Sequence, residues 1–207
     1  MMSSSQIKSV TVYCSSSNKV AKVFADATAE LGREIARKGW KLVYGGNAVG
    51  MMGVLADACR EAGGKVIGVT PRLFIEKGVD DKNCDEMIVT DGMRDRKAVM
   101  EERGDAFVAL PGGLGTFEEF FEIICGRQLG YHNKAIVLLN VEGFYDPLLA
   151  MIERGHEMGF IRPKARHLYF IARNVSEAIE HLQNYRPSAP RPADLSFEVS
   201  PPPSAIE

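Results

Sequence analysis

Short apolar runs alternate with longer amphipathic stretches from Val10 to Gln183, and this alternation limits the fold more than any other feature. Val10–Cys14, Lys41–Tyr44, Lys65–Val69, Glu86–Val89, Ala106–Leu110, Lys134–Leu139 and Leu168–Ala172 read as strands. Between them Ala21–Lys38, Gly50–Ala62, Arg94–Arg103, Thr116–Gln128, Tyr145–Met158 and Ser176–Gln183 read as helices. In the first helix Phe24, Ala27, Leu31, Ile35 and Ala36 share a face, and Gly39 ends it. Pro71 is expected to stop the third strand. Strands that alternate with helices imply an α/β fold, a doubly wound, mainly parallel sheet with helices on both faces and right-handed crossovers. Ligands of such sheets sit beyond the carboxyl ends of the strands, near the reversal in strand order. The loops that directly follow strands are therefore where chemistry is expected.

The chain has 207 residues, enough for one self-sufficient domain, read here as residues 1–185. From Arg186 onward six prolines fall in 22 residues with almost no apolar periodicity, which reads as a disordered tail, 186–207. Lys plus Arg is 25 and Asp plus Glu is 27, a net charge of −2 that argues against a nucleic-acid partner. No apolar run approaches the roughly 18 residues that span a bilayer, so no membrane partner is expected. Cys14, Cys59, Cys84 and Cys125 form no Cys-x-x-Cys pair and read as reduced thiols of a cytoplasmic protein. His132, His156, His167 and His181 make no zinc pattern.

Pro111-Gly112-Gly113-Leu114-Gly115-Thr116 follows a strand and opens a helix. Its glycines permit a sharp turn and close approach of a ligand, and free amides at a helix start suit a phosphate. The spacing is neither a dinucleotide fingerprint nor a Walker loop. Thr116 and Glu119 have capping-box spacing, so Glu119 reads equally as a helix cap or as a functional carboxylate. Near the positive end of a helix it is expected to stay ionised, as a base or a cation stabiliser.

A second loop, Tyr44-Gly45-Gly46-Asn47-Ala48-Val49-Gly50-Met51-Met52-Gly53, also joins a strand to a helix. It is either a plain turn or a second wall of the same pocket. Arg94, Arg96 and Lys97 crowd a helix start, against the helix dipole. They form either a solvated face or an anion site, with Arg96 suited to bidentate contact and Lys97 to a point charge. Ser15, Ser16 and Ser17 after the first strand offer hydroxyls for a ligand or, slightly preferred, for capping the next helix.

These three segments together resemble the Lonely guy (LOG) family of cytokinin-activating nucleoside 5′-monophosphate phosphoribohydrolases. P-G-G-x-G-T-x-x-E is matched from Pro111 to Glu119, M-x-x-R-K from Met93 to Lys97, and Y-G-G-x-x-x-G-x-M-G from Tyr44 to Gly53. The resemblance covers residues 7–184. It implies a Rossmann-like sheet, a homodimer, and hydrolysis of the N-glycosidic bond of an N6-modified AMP to free base and ribose 5-phosphate. It also implies Arg96 and Glu119 as the catalytic pair. Gly112, Gly113, Leu114, Gly115 and Thr116 would hold the 5′-phosphate with help from Lys97, and Gly45, Gly46 and Ser15 would complete the substrate site. No cofactor and no metal are implied. Many relatives have His where Arg94 stands and Gly where Ser15 stands, and a Glu common near Gly78 is missing.

Overall fold

The computed structural model describes residues 7–187. Seven strands make one sheet: β1 (Ser9–Tyr13), β2 (Lys41–Tyr44), β3 (Lys65–Pro71), β4 (Glu86–Thr90), β5 (Ala106–Ala109), β6 (Ala135–Leu139) and β7 (Phe170–Ala172). The helices are α1 (Lys22–Arg37), α2 (Gly50–Glu61), α3 (Arg72–Glu76), α4 (Met93–Arg103), α5 (Leu114–Gln128), α6 (Asp146–Glu157) and α7 (Val175–Asn184). The strand order is β4-β3-β2-β1-β5-β6-β7, and every pairing is parallel. This is the doubly wound, Rossmann-like α/β architecture expected from the alternation. The order reverses at β1, which lies between β2 and β5.

Alternate residues of each strand feed two separate cores, as a pleat with helices on both faces requires. Val10, Val12, Leu42, Val108 and Val137 pack with Leu31 and Ile35 of α1, Leu55 and Cys59 of α2, and Ile179 and Leu182 of α7. Val43, Ile67, Phe107, Ile136 and Leu138 pack with Met100 of α4 and Phe120, Ile123 and Ile124 of α5, with Leu148 and Leu149 of α6 against them. The helices that carry Met93–Lys97 and Thr116–Glu119, α4 and α5, therefore lie side by side on one face.

Three differences between sequence reading and structure concern the elements that border the cleft; the other bounds shift by a residue or two. β3 continues to Pro71, which pairs in register with Thr90; a terminal strand position tolerates a residue without an amide donor. The short α3 is absent from the sequence reading, because five residues are too few to show a helical period. α5 starts at Leu114, two residues before the expected Thr116, because Gly113 in extended conformation already serves as N-cap. The tail reading falls mainly on residues 188–207, outside the described residues. No described helix is long and apolar enough to cross a membrane.

The ends of the central strands are tied together just below the reversal. Leu110 N donates to Tyr13 O at 2.9 Å, and the buried Tyr145 hydroxyl donates to Leu110 O at 2.6 Å. The loop after β1 is fastened to the start of α2: Gly50 N donates to Asn18 Oδ1 at 2.7 Å and Met51 N to Ser15 O at 3.1 Å. Gly50 has φ of 62°, and a Cβ there would lie 2.3 Å from the Ser16 carbonyl carbon. Backbone cannot yield as a side chain can. Gly50→Ala is expected to cost about 2–4 kcal/mol from strain and overpacking together, read as a lower Tm in thermal melts.

Candidate active site

At the reversal the loops after β1, β2 and β5 enclose a cleft of about 330 Å³, within the size range of small-molecule sites. Ser15, Ser16 and Ser17 form one wall, Gly113, Leu114, Gly115 and Thr116 another, with Gly45, Asn47 and Met52 from the β2 side. Arg96 and Glu119 line it together, and Phe74 and Met93 add apolar surface.

The start of α5 is open. Phe117 is its first residue with an amide bonded within the turn, to Gly113 O at 3.1 Å, and no side chain caps the helix. The amides of Leu114, Gly115 and Thr116 have no acceptor among the described residues, and Leu114 is 85 % exposed. Thr116 is buried and folds back over Gly112, where a Cβ would meet Thr116 Oγ1 at 2.1 Å. Gly112 is therefore required for packing and does not line the cleft, whereas nothing lies near a Cβ on Gly113 or Gly115. The result is a ready-made anion site at a helix N-terminus.

The start of α2 looks alike in sequence but is closed. Asn18 and the Ser15 carbonyl already accept from Gly50 and Met51. The expected serine cap is also corrected. α1 begins at Lys22 after Ala21, with no side-chain cap, and Ser15 Oγ instead accepts from Ser17 N at 3.0 Å. Ser15 thus lines the cleft as expected, and its hydroxyl caps no helix. Gly46 has φ of 72° and packs on Thr70, away from the cleft lining.

Glu119 does not cap α5. With the helix starting at Leu114 it lies in the second turn, and its Oε1 accepts from Arg96 Nη1 at 3.1 Å. Both side chains are buried. Arg96 Nε donates to Val69 O, near the end of β3, at 3.0 Å, which leaves Nη2 without an acceptor among the described residues. The expectation that Glu119 stays ionised is corrected as well: burial pushes its carboxyl up to about 7, with Arg96 pulling down and Glu118 pushing up. Burial outweighs the helix dipole because Glu119 is too far along α5 to profit from the first-turn amides.

Lys97 is not in the cleft. Its ammonium pairs with Glu118 and, at 3.1 Å, with Glu122, both on α5. Three carboxylates on α5 and two cations on α4 therefore interlock, and Glu118 also lines the cleft. Sequence reasoning missed Asn18, Glu118, Phe74 and the Val69 carbonyl. Only Glu118 carried a signal, as an acid adjacent to Glu119; a backbone acceptor leaves none. Among the described residues no three His, Cys, Asp or Glu side chains are grouped to hold a metal ion.

A family profile described as "Possible lysine decarboxylase" matches residues 52–182. The cytokinin riboside 5′-monophosphate phosphoribohydrolase LOG5 of Arabidopsis thaliana is 41% identical over 183 residues, 88% of this chain and 80% of the relative. The cytokinin riboside 5′-monophosphate phosphoribohydrolase LOG of Oryza sativa subsp. japonica is 41% identical over 183 residues, 88% of this chain and 76% of the relative. The chain belongs to the LOG family. Among solved structures, the molybdenum cofactor carrier protein of Chlamydomonas reinhardtii superposes with a TM-score of 0.64 at 26% identity, covering 84% of this chain and 94% of that one. The X-ray structure of TM1055 gives a TM-score of 0.66 at 22% identity, covering 86% and 99%, a likeness of fold alone.

The raised Glu119 carboxyl has a measurable consequence. Its ordinary pKa is 4.5 and its folded value about 7, so the fold favours the protonated form. That stabilisation is fully present below about pH 4.5 and is lost as pH rises through about 7. Glu119→Gln does not titrate there. Thermal melts from pH 4.5 to 8 are expected to show the Tm of wild type falling relative to that of the variant, with most of the change between pH 5 and 7.5.

Proposed function

We propose that this protein hydrolyses the N-glycosidic bond of adenosine 5′-monophosphates, including N6-modified ones, to free base and ribose 5-phosphate. The observation that carries this is the buried Arg96–Glu119 pair one helical turn from the open amides of Leu114, Gly115 and Thr116. A phosphate on those amides puts the attached ribose beside the pair. The chain's 41% identity to phosphoribohydrolases over most of its length supports the same reading.

The chemistry follows from the groups present. Water adds to C1′, the C1′–N9 bond breaks, and its electron pair leaves with the purine, which takes up a proton. Positive charge builds on the ribose as the bond stretches, as in glycoside hydrolysis. Ionised Glu119 stabilises that charge and orients the water. Arg96 keeps Glu119 in place and offers Nη2 to the substrate. Gly113, Leu114, Gly115 and Thr116 hold the phosphate; Lys97 contributes by holding Glu118 and Glu122, rather than through direct contact. Phe74, Met52 and Met93 give the rest of the cleft an apolar lining that suits a purine and an N6 substituent.

A decarboxylase working through a lysine Schiff base needs a lysine in the cleft. Among the described residues no lysine lines it, and Lys97 is engaged elsewhere. A nucleotide sensor would need the open helix start but not a buried Arg–Glu pair. We further propose one catalytic domain working as a cytoplasmic homodimer. Four free thiols fit a reducing compartment. Leu114 and Phe121, two turns apart on one face of α5, are 85 % and 38 % exposed and fit burial against a second copy.

Turnover of AMP and isopentenyl-AMP is expected, with no turnover of the corresponding nucleosides, in an assay of released base. Equal rates on adenosine and AMP would refute the phosphate site. Glu119→Gln is expected to lower turnover at least ~10²-fold, about 2.7 kcal/mol of barrier, because it removes the charge opposing the ribose cation. Arg96→Ala should match it, and the double variant should be no worse than the poorer single one. Near-normal base release by Glu119→Gln would sink the mechanism and leave only nucleotide binding.

A further inference from the structure

Gly45 belongs to the second glycine loop, yet the space over its Cα is filled by the protein itself. A Cβ there would lie 2.1 Å from Arg96 Nη2, 3.4 Å from Arg96 Cζ and 2.7 Å from Met52 Sδ. No left-handed backbone conformation explains the glycine: Gly46 has φ of 72° and Gly50 of 62°, but Gly45 is not among the positive-φ residues. Alanine is therefore allowed by the backbone and forbidden by the guanidinium. The same guanidinium is held on its other sides by Val69 O at 3.0 Å and Glu119 Oε1 at 3.1 Å.

We propose that Gly45 is a positioning residue: its missing side chain is the seat in which the Arg96 guanidinium rests, set against Glu119 with Nη2 left for the substrate. The kinetic arm of this inference rests on the hydrolase reading above; the structural arm does not. Arg96 Nη2 and Met52 Sδ are the far ends of flexible side chains, so an added methyl moves them rather than the backbone. The fold survives, while the bonds to Val69 and Glu119 are disturbed. A glycine kept for a turn behaves in the opposite way, because its replacement strains the backbone and lowers stability. Displacement of a catalytic group by about 1 Å typically costs about 10²-fold in rate.

The test uses the full-length protein and compares Gly45→Ala with Gly46→Ala. For Gly45→Ala the expected results are a fall of about 10²-fold in kcat for AMP, a Tm loss smaller than that of Gly46→Ala, and unchanged affinity for ribose 5-phosphate by calorimetry, since the phosphate rests on α5. Gly46→Ala is expected to lose more Tm, because its replacement strains the backbone. An arginine-¹⁵N spectrum, with the Arg96 Nε–H signal assigned by its loss in Arg96→Lys, reads the seat directly. That proton is slow to exchange in wild type because it is buried and bonded to Val69 O, and in Gly45→Ala it should shift and exchange faster. An unperturbed Nε–H signal overturns the proposal, as does a Tm loss matching that of Gly46→Ala. If wild type releases no base from AMP, the hydrolase reading fails, and the spectrum and melts still decide the role of Gly45. If wild type is active, a Gly45→Ala kcat within about threefold of it also overturns the proposal.

Discussion

The buried pair of Arg96 and Glu119 is the constraint around which the cleft is organised. Removing two charges from water costs several kcal/mol per ion, and their attraction recovers this only with good geometry and further hydrogen bonds. The structure supplies both through backbone and helices: Val69 O takes Arg96 Nε, and α4 and α5 pack side by side on one core. Thr11 Oγ1 donates to Met100 O at 2.9 Å, which fixes α4 to the central strand β1. Lys97 adds a second link between the same helices through Glu118 and Glu122. Movement of α4 against α5 would uncouple the pair and leave uncompensated buried charge.

Two glycine loops of similar sequence, each between a strand and a helix, end in different states. What separates them is the chain packed over each helix start. Over α2 lies the loop after β1, with Asn18 and the Ser15 carbonyl on its amides. Over the start of α5, among the described residues, lies only the cleft. The closed helix start holds the β1 loop in place, and that loop in turn supplies the serine wall of the cleft. One loop is thus scaffold and the other is available to a ligand.

Much of this was legible in the sequence. The seven strands and six longer helices follow from apolar period and punctuation by glycine and proline, and parallel pairing follows from their alternation. The site was legible as segments: Pro111–Glu119, Met93–Lys97 and Tyr44–Gly53 do converge. Individual roles were less legible, because spacing does not say where a side chain points. Thr116 and Glu119 at cap spacing became a packing hydroxyl and a buried ion-pair partner once the helix began at Leu114. Lys97, adjacent to Arg96, points to a different partner because neighbours on a helix face about 100° apart. Gly45 and Gly46 are glycine for unrelated reasons, a guanidinium and a backbone angle. Tertiary neighbours decide such cases.

The ionisation of Glu119 joins the fold to the proposed reaction. Burial holds its carboxyl near 7, well above the ordinary carboxylate range. A bound phosphate on the first turn of α5 adds negative charge and favours the protonated form. Charge developing on the ribose does the reverse, and it is closest to Glu119 only as the C1′–N9 bond breaks. The attraction between carboxylate and sugar is therefore weak in the bound substrate and strong in the transition state, which is the condition for an interaction to accelerate a reaction instead of merely tightening binding. A surface carboxylate, already ionised and well hydrated, would lack that difference. The burial that makes the Arg96–Glu119 pair expensive to form is thus the same property that makes it useful.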